Sequence, residues 1–499
     1  MAQRVLLLTA LLGFFGCASI VPTPGPGEAY FKHHYILARE DGYSMSTERG
    51  LLRHGALKRA EAGTDIDDRV LQGVERHARR IWPDLREGDT KGDRTLEILV
   101  FVHGGLNGYG DDFGRMRQML ATPDDCAGER QPTKLFVSAE CGNAVTSYYP
   151  IFVNWNSDLW DSIRDDLFVI RRGNPNPIIG FFTWPFVLGA RLAEAVFAAP
   201  YSWVSNAEDF LDANPEGHHW LEGSISLVPR SLATPLVKAF GTSAWQIMKR
   251  RAALVASPEF ASREYEGAAY TLLRRLGGRI DRDGYWLMID PPNARVRVAI
   301  TFVGHSMGAI VINRLLAASI HLDRPLPVTR IVYLAPASSI NDIAVTNLFR
   351  LQHPRTRFWT FALRREDEAW ERHLISPRGT LLVWIDNYFE SVVEAGDARY
   401  GRTQSYRTRY NLFGDWAKPR GNEPFNVCEW ASDDRPTTHH AVGNATYLAT
   451  ALSHVGPEVF KKSPPPAADG TLVCASPPFS EERTAGDADE VAERLARGR

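Results

Sequence analysis

The segment TFVGHSMGAIVINRLL, Thr301 to Leu316, decides the fold class of this chain. It joins a β-rich run, VRVAITFV, to an apolar stretch of helical character, MGAIVINRLLAASI, with Gly304-His305-Ser306-Met307-Gly308 at the junction. A strand, a sharp turn and a helix form the context in which a Gly-x-Ser-x-Gly serine is held on a strained turn. A serine that merely caps a helix after a strand is the alternative, so the surrounding sequence has to decide.

Apolar runs of strand length recur along the chain. They lie at 95–105, 150–156, 296–306, 330–338 and 357–364, with a plausible last strand at 425–431. Such runs are typical of strands buried on both faces of a parallel sheet. Helical stretches lie between most of them, so we predict an α/β fold with a mostly parallel sheet wrapped by helices.

One interval, residues 157–295, is far longer than a single crossover helix needs. We predict a large helical insertion here, a cap or lid over the carboxyl edge of the sheet. Its stretch IIGFFTWPFVLGA is interrupted by Pro185 and followed by Arg191 and Glu194, which makes a poor transmembrane span. Two interpretations stay open: simple core or cap helices, and a lid whose aromatic face touches lipid or an acyl chain.

The first residues predict export. Arg4 precedes the apolar run VLLLTALLGFF, and Gly16-Cys17 precedes a Pro/Gly-rich stretch, so we predict a signal peptide at 1–16 and a tether at 17–29. The Gly16-Cys17 junction resembles the lipobox of bacterial lipoproteins. That resemblance implies lipidation of Cys17 and, with Ala18 after it, an outer-membrane location facing the periplasm. A plain secreted protein is the alternative.

The remaining cysteines agree with an oxidising compartment. Without Cys17 the chain has four, an even number: Cys126, Cys141, Cys428 and Cys474. Proximity in sequence favours disulfides Cys126–Cys141 and Cys428–Cys474, although four cysteines permit three pairings and free thiols are the alternative.

Net charge and residue spacing exclude some functions. A net charge of -2 over 499 residues gives no electrostatic footprint for nucleic acid, and no metal-binding spacing occurs. We therefore expect no nucleic-acid partner, no metal and no cofactor.

A mixed segment at 30–94 holds a possible strand, YILARE, and a helix, DIDDRVLQGVERHARRIW. At the other end, 461–499 is predicted as a largely flexible tail apart from Cys474.

A second glycine-rich element lies upstream of the serine. The strand ending in VFVHGGLNG suits an oxyanion loop, because glycine lets the chain turn and expose an amide. We select Gly105 and Met307 as the two amide donors, and we expect Gly304 and Gly308 to be required by close packing at the turn. A phosphate loop is disfavoured because no Gly-Lys-Ser/Thr follows.

These motifs, in this order, resemble the α/β-hydrolase fold, especially its lipase and esterase branch. The resemblance covers a core at 95–156 and 296–460. It implies an acid after the sixth or seventh strand, for which Asp367 in FWTFALRREDEAW is the first choice, flanked by Glu366 and Glu368. Asp342, after the preceding strand, is the alternative.

The resemblance also implies a histidine in the loop after the last parallel strand, where His439 and His440 stand side by side. We favour His440, because the small Ala441 follows it, and keep His439 as the alternative. The sequence thus predicts a serine hydrolase of acyl or lipid esters, using Ser306, Asp367 and His440. A catalytically inactive hydrolase fold that serves as a membrane-tethered binding module is the second hypothesis.

Overall fold

The computed structural model describes most of the chain between residues 31 and 475. The described residues are 31–38, 64–126, 134–137, 148–171, 174–213, 220–258, 266–364, 367–368, 371, 379–390, 397–399, 401–402, 426–430, 435–456 and 472–475. The predicted signal peptide, the tether with Cys17, and Cys141 lie outside these residues.

Nine strands of the described chain form one sheet. They are β1 (Tyr35–Ala38), β2 (Thr90–Val102), β3 (Tyr148–Trp155), β4 (Tyr285–Leu287), β5 (Arg295–His305), β6 (Val328–Leu334), β7 (Arg357–Ala362), β8 (Asn426–Trp430) and β9 (Leu472–Ala475). Two short pairs lie apart from it, Leu120–Ala121 with Phe136–Val137 and Ile170–Arg171 with Asn174–Pro175.

The helices lie between these strands. They are α1 (Thr64–Ile81), α2 (Tyr109–Met119), α3 (Pro123–Cys126), α4 (Leu159–Arg164), α5 (Pro177–Ala213), α6 (Trp220–Val255), α7 (Ala268–Gly278), α8 (Gly308–Ala318), α9 (Ile340–Gln352), α10 (Leu381–Trp384) and α11 (Ala445–Val455). Single turns of π-helix extend α4 and α10, at Asp165–Val169 and Ile385–Phe389.

The sheet order is β1-β3-β2-β5-β6-β7-β8-β9, and β4 pairs with β5. All pairings are parallel except β8 with β9 and β4 with β5. This confirms the predicted α/β architecture. The strand β5 is central, and its carboxyl end carries Ser306.

The buried core explains why the predicted strands are nearly continuous apolar runs. Side chains on both faces of β2 and β5, from Ile98 to Val102 and from Ile300 to Val303, have almost no solvent exposure. Residues pointing to opposite faces are therefore both covered by helices, as a parallel sheet requires.

Both ends of the described chain contribute to this sheet. The strand β1, from the predicted N-terminal segment, pairs in parallel with β3. At the other edge β9, from the predicted tail, lies antiparallel to β8 and places Cys474 opposite Cys428. Cys428 and Cys126 are each disulfide-bonded, and the β8–β9 register is the one that the predicted Cys428–Cys474 pair needs.

The described part of 157–295 is mainly helical, with α4 to α7 followed by β4. Its helices differ in burial. Side chains of α6 and α7 such as Trp245, Met248 and Leu272 belong to the same apolar core as the sheet. Much of α5, in contrast, exposes large apolar side chains to solvent.

Candidate active site

Ser306 occupies a strained turn between β5 and α8. Its φ is +51°, in the left-handed region that costs a non-glycine residue about 1–3 kcal/mol. Its N–H donates to the carbonyl of Leu334 at 2.9 Å, and its own carbonyl accepts the N–H of Ala337 at 3.0 Å. These two bonds tie the turn to the end of β6, so the neighbouring strand maintains the strained conformation.

The two glycines of the pentapeptide are required by close packing. A Cβ on Gly308 would overlap the carbonyl oxygen of Val102, and a Cβ on Gly304 would come within 2.9 Å of the Ala309 nitrogen. Both contacts are with backbone, which cannot move aside as a flexible side chain can. The turn therefore lies closer to β2 and α8 than any larger residue allows.

His439 is the histidine that lies beside Ser306. Its Nε2 is 2.7 Å from the Ser306 Oγ, and both side chains are buried. His440, the first choice from sequence, is exposed instead. The geometry therefore places the alternative, His439, against the serine hydroxyl, while His440 is open to solvent.

A second histidine, His305, precedes the serine and contacts the backbone of His439. His305 Nε2 lies 3.1 Å from the carbonyl oxygen of His439, and since a carbonyl can only accept, this nitrogen carries the hydrogen. Burial, aided by Arg115, lowers the pKa of His305 well below its ordinary value and keeps it neutral. The residue before the serine thus holds the backbone of the histidine that contacts the serine.

Glu371 is the carboxylate bound to the histidine segment. Its Oε2 accepts the backbone N–H of His439 at 2.9 Å, and the side chain is buried. Burial raises the pKa of Glu371 to about 7, although the hydrogen bond from His439 opposes that rise. Glu371 was not among the acids selected from the sequence, because it lies beyond the short loop in which the resemblance places the acid.

The two acids that were selected have other partners. Asp367 is held by Arg435, with 2.6 Å from Nε to Oδ2 and 3.3 Å from Nη2 to Oδ1. Asp342 accepts the Ser339 N–H at 3.0 Å at the start of α9. It lines a cavity of about 560 Å³ between α5, α6 and α9 that is rich in charged side chains. Neither carboxylate is placed against His439 by these contacts.

The predicted oxyanion donors are adjacent in space. A Cβ on Gly105 would lie 2.7 Å from the Met307 Sδ, so the loop after β2 lies directly on the residue after the serine. Within the described chain neither the Gly105 nor the Met307 amide donates a backbone hydrogen bond, whereas Leu106 donates to Ser157 at 2.9 Å. The two amides predicted from sequence are thus available beside Ser306.

A buried polar cluster contacts the glycine loop that follows β2. His103 Nε2 lies 2.6 Å from Asp112 Oδ2, and its Nδ1 lies 2.7 Å from the Gly104 carbonyl oxygen. Burial raises the pKa of Asp112, against the attraction of His103. Ser157 Oγ donates to the same Gly104 carbonyl at 3.0 Å. With its carbonyl held from two sides, the glycine loop has a fixed orientation.

The comparisons give no relative from which residue roles could be transferred. No family model matches the chain. Curated proteins and solved structures likewise give no significant match. Within the described residues no group of three or more His, Cys, Asp or Glu side chains is placed to hold a metal ion. The chemistry of the site follows from the serine, the histidine and the amides themselves.

Proposed function

We propose that the protein is a serine hydrolase that cleaves carboxylic esters through an acyl-enzyme intermediate. One observation carries the proposal: Ser306 stands at positive φ on a strand–turn–helix junction, with the His439 Nε2 at 2.7 Å from its hydroxyl. A serine needs an adjacent base to become a nucleophile, and a strained turn that exposes its Oγ is the usual means of presenting it. A helix cap needs neither of these.

The proposed cycle uses the geometry directly. His439 takes the proton of the Ser306 hydroxyl while the Oγ attacks the ester carbonyl, and the Gly105 and Met307 amides stabilise the oxyanion. The protonated His439 then gives its proton to the departing alcohol. Water, deprotonated by His439, attacks the acyl-enzyme and releases the carboxylic acid with regeneration of Ser306.

We assign the acid role to Glu371 in place of Asp367. A buried carboxylate beside the histidine stabilises the imidazolium that forms in each half of the cycle. The backbone N–H of His439 donates to Glu371 and so places this carboxylate beside that histidine, whereas Asp367 is paired with Arg435. The chain order serine, acid, histidine remains the one that the resemblance to α/β hydrolases implies.

Acyl esters are the proposed substrates because apolar side chains lie around the loops that form the site. Leu106 follows the proposed oxyanion residue, and Trp160, with 65% of its surface exposed, stands on the helix that follows Ser157. These side chains would contact an acyl chain or an apolar alcohol. A periplasmic, membrane-anchored location, expected from the N-terminal sequence, belongs to the same proposal.

A fluorophosphonate probe tests the proposal, since it labels only an activated serine. We expect labelling of the wild type, none of Ser306→Ala, and a loss of about 10³-fold or more in ester hydrolysis for His439→Ala. The matched control is His440→Ala, which should retain labelling and most activity. A folded wild type that stays unlabelled would identify the protein as an inactive binding module instead.

A further inference from the structure

The helix α5 presents one continuous apolar face to solvent. Phe182, Phe186 and Phe197 have 72%, 79% and 86% of their surface exposed. The other large members are also open to solvent: Ile178, Ile179, Phe181, Val196, Trp203 and Val204. At 1.5 Å per residue, the face from 178 to 204 is about 40 Å long. A patch of this size is unusual on the surface of a soluble monomer.

Charged residues are kept off this face. None occurs between Pro177 and Ala190. The next two, Arg191 and Glu194, line the cavity shared with Lys238 of α6, and Arg191 lies 3.5 Å from Asp166. Arg191 is therefore directed toward the protein, and Glu194 borders the same cavity, although 66% of its side chain is exposed. These are the two charged residues between Pro177 and Val204, where the large apolar side chains are open to solvent.

The opposite face of α5 is docked on the protein along its length. Gly180 packs against the carbonyl of Phe168, the rings of Phe168 and Trp184 are 5.7 Å apart, and Ala195 and Ala199 are buried. The segment Pro177–Pro200 is long and apolar enough to cross a bilayer, and only 6% of its most apolar stretch is buried in the protein. A helix docked along one side can lie in an interface, which is the arrangement of amphipathic monotopic helices.

We propose that this face of α5, residues 178–204, inserts into the surface of a lipid bilayer. The position of the expected anchor favours a bilayer over a second copy of the chain. Thirteen residues lie between Cys17 and Phe31, so an anchor at Cys17 would keep the protein within about 50 Å of the membrane. The chain then enters the sheet at β1, beside β3, and β3 leads through α4 into α5.

A series of contacts links α5 to the loops of the proposed site. Leu106 donates its amide to Ser157, Trp160 lies on α4 three residues later, and the π-turn after α4 packs against Gly180 of α5. A face resting in the bilayer would thus lie next to the elements that contact the Leu106 loop beside Ser306. Bilayer binding by α5 does not depend on the proposed hydrolase activity.

Vesicle co-sedimentation tests the proposal with the full chain carrying Cys17→Ala, so that no acyl anchor contributes. The probe is vesicles of phosphatidylcholine, because an uncharged face needs no anionic lipid. We expect the protein to bind, and the double variant Phe182→Asp/Phe186→Asp to lower its partition coefficient at least about tenfold. Phe197→Asp should lower it in the same direction.

Matched controls are Ile289→Asp and Ile320→Asp, which place the same charge at exposed apolar positions outside α5. They should bind like the parent, and all variants should hydrolyse a soluble nitrophenyl ester at the parental rate. Equal loss of binding in the controls, or unchanged binding in the α5 variants, would overturn the proposal. So would a lipid-free dimer, seen by light scattering, that the α5 variants dissociate.

The outcomes for the two proposals are separable. Ser306→Ala should bind vesicles as tightly as the parent, since Ser306 is fully buried and is not one of the exposed residues of the α5 face. Vesicle binding without any hydrolysis would overturn only the proposed function. Hydrolysis of soluble esters without vesicle binding would overturn only the α5 proposal.

Discussion

Asp367 and Glu371 lie four residues apart, yet their carboxylates have different partners. Asp367 faces Arg435, which comes four residues before His439, while Glu371 binds the backbone of His439 itself. Both carboxylates therefore attach the segment that follows β7 to the histidine loop. Only Glu371 does so at the residue that contacts Ser306, and this distinction can be measured.

We expect Glu371→Gln to lower kcat for a soluble ester by about 10²–10⁴-fold with little change in KM, because an amide stabilises imidazolium poorly. The matched variant Asp367→Asn should cost less than about tenfold in kcat, since it weakens an ion pair that does not touch the base. Steady-state kinetics on both variants provide the measurement. The opposite ranking would restore Asp367 as the acid.

The raised pKa of Glu371 makes stability depend on pH. In the unfolded chain this carboxyl has its ordinary pKa of 4.5, and burial raises the pKa to about 7 in the folded protein. The folded state therefore holds the proton more tightly, so this contribution is complete below pH 4.5 and is lost as pH rises through 7. Its size is about 3 kcal/mol, at 1.36 kcal/mol per pH unit.

We accordingly expect Glu371→Gln to gain about 3 kcal/mol of unfolding free energy relative to the wild type between pH 4.5 and pH 8. Urea unfolding at several pH values measures the difference. A surface variant such as Ile320→Ala should keep a constant difference from the wild type over that range. If the difference in unfolding free energy between Glu371→Gln and the wild type does not change with pH, the raised pKa is contradicted.

At the residue scale the sequence predicts what is local. Ser306, Gly304 and Gly308 follow from one strand–turn–helix junction, and their positions agree with the packing found there. The choice between His439 and His440 does not follow from sequence, because adjacent residues differ only in which ring turns inward. That direction is set by partners distant in sequence, Glu371 and His305.

At the scale of elements, the parallel strands were predictable because burial on both faces leaves a continuous apolar run. The predicted runs at 95–105, 150–156 and 296–306 match β2, β3 and β5 within a few residues. Short edge strands give weaker signals. Neither β4 nor β9, of three and four residues, has enough length for a pattern to emerge, and pairing with a neighbouring strand defines each of them.

The β8–β9 pair allows a test of the predicted Cys428–Cys474 disulfide. We expect the double variant Cys428→Ser/Cys474→Ser to lose about 4 kcal/mol of unfolding free energy, because the bond would close a loop of some 45 residues in the unfolded chain. Chemical denaturation measures the loss, and non-reducing peptide mapping checks the pairing. The Cys126→Ser/Cys141→Ser variant, closing a shorter predicted loop, should lose less. A pairing of Cys428 with another cysteine would contradict the prediction.

At the scale of the whole molecule, the sequence predicts where the insertion lies but not which of its helices are buried. Both α5 and α6 are long; α5 is the more apolar, and α6 carries the basic run Lys249-Arg250-Arg251, but composition does not say which of the two is buried. Their environments do, because Trp245 and Met248 of α6 are fully buried while Phe186 and Phe197 of α5 are open to solvent. Only the packing of α6 against α4 and α8 reveals which helix is left uncovered.

The strand β1 has a consequence for how the polypeptide can be shortened. Its four residues cover the outer side of β3, from Phe152 to Trp155, with parallel hydrogen bonds. A fragment trimmed to begin at Thr95 would keep Ser306, Glu371 and His439 but leave the outer amides and carbonyls of β3 without a neighbouring strand. An unpaired edge strand forms hydrogen bonds with strands of other chains, so such a fragment would aggregate before its activity could be assayed.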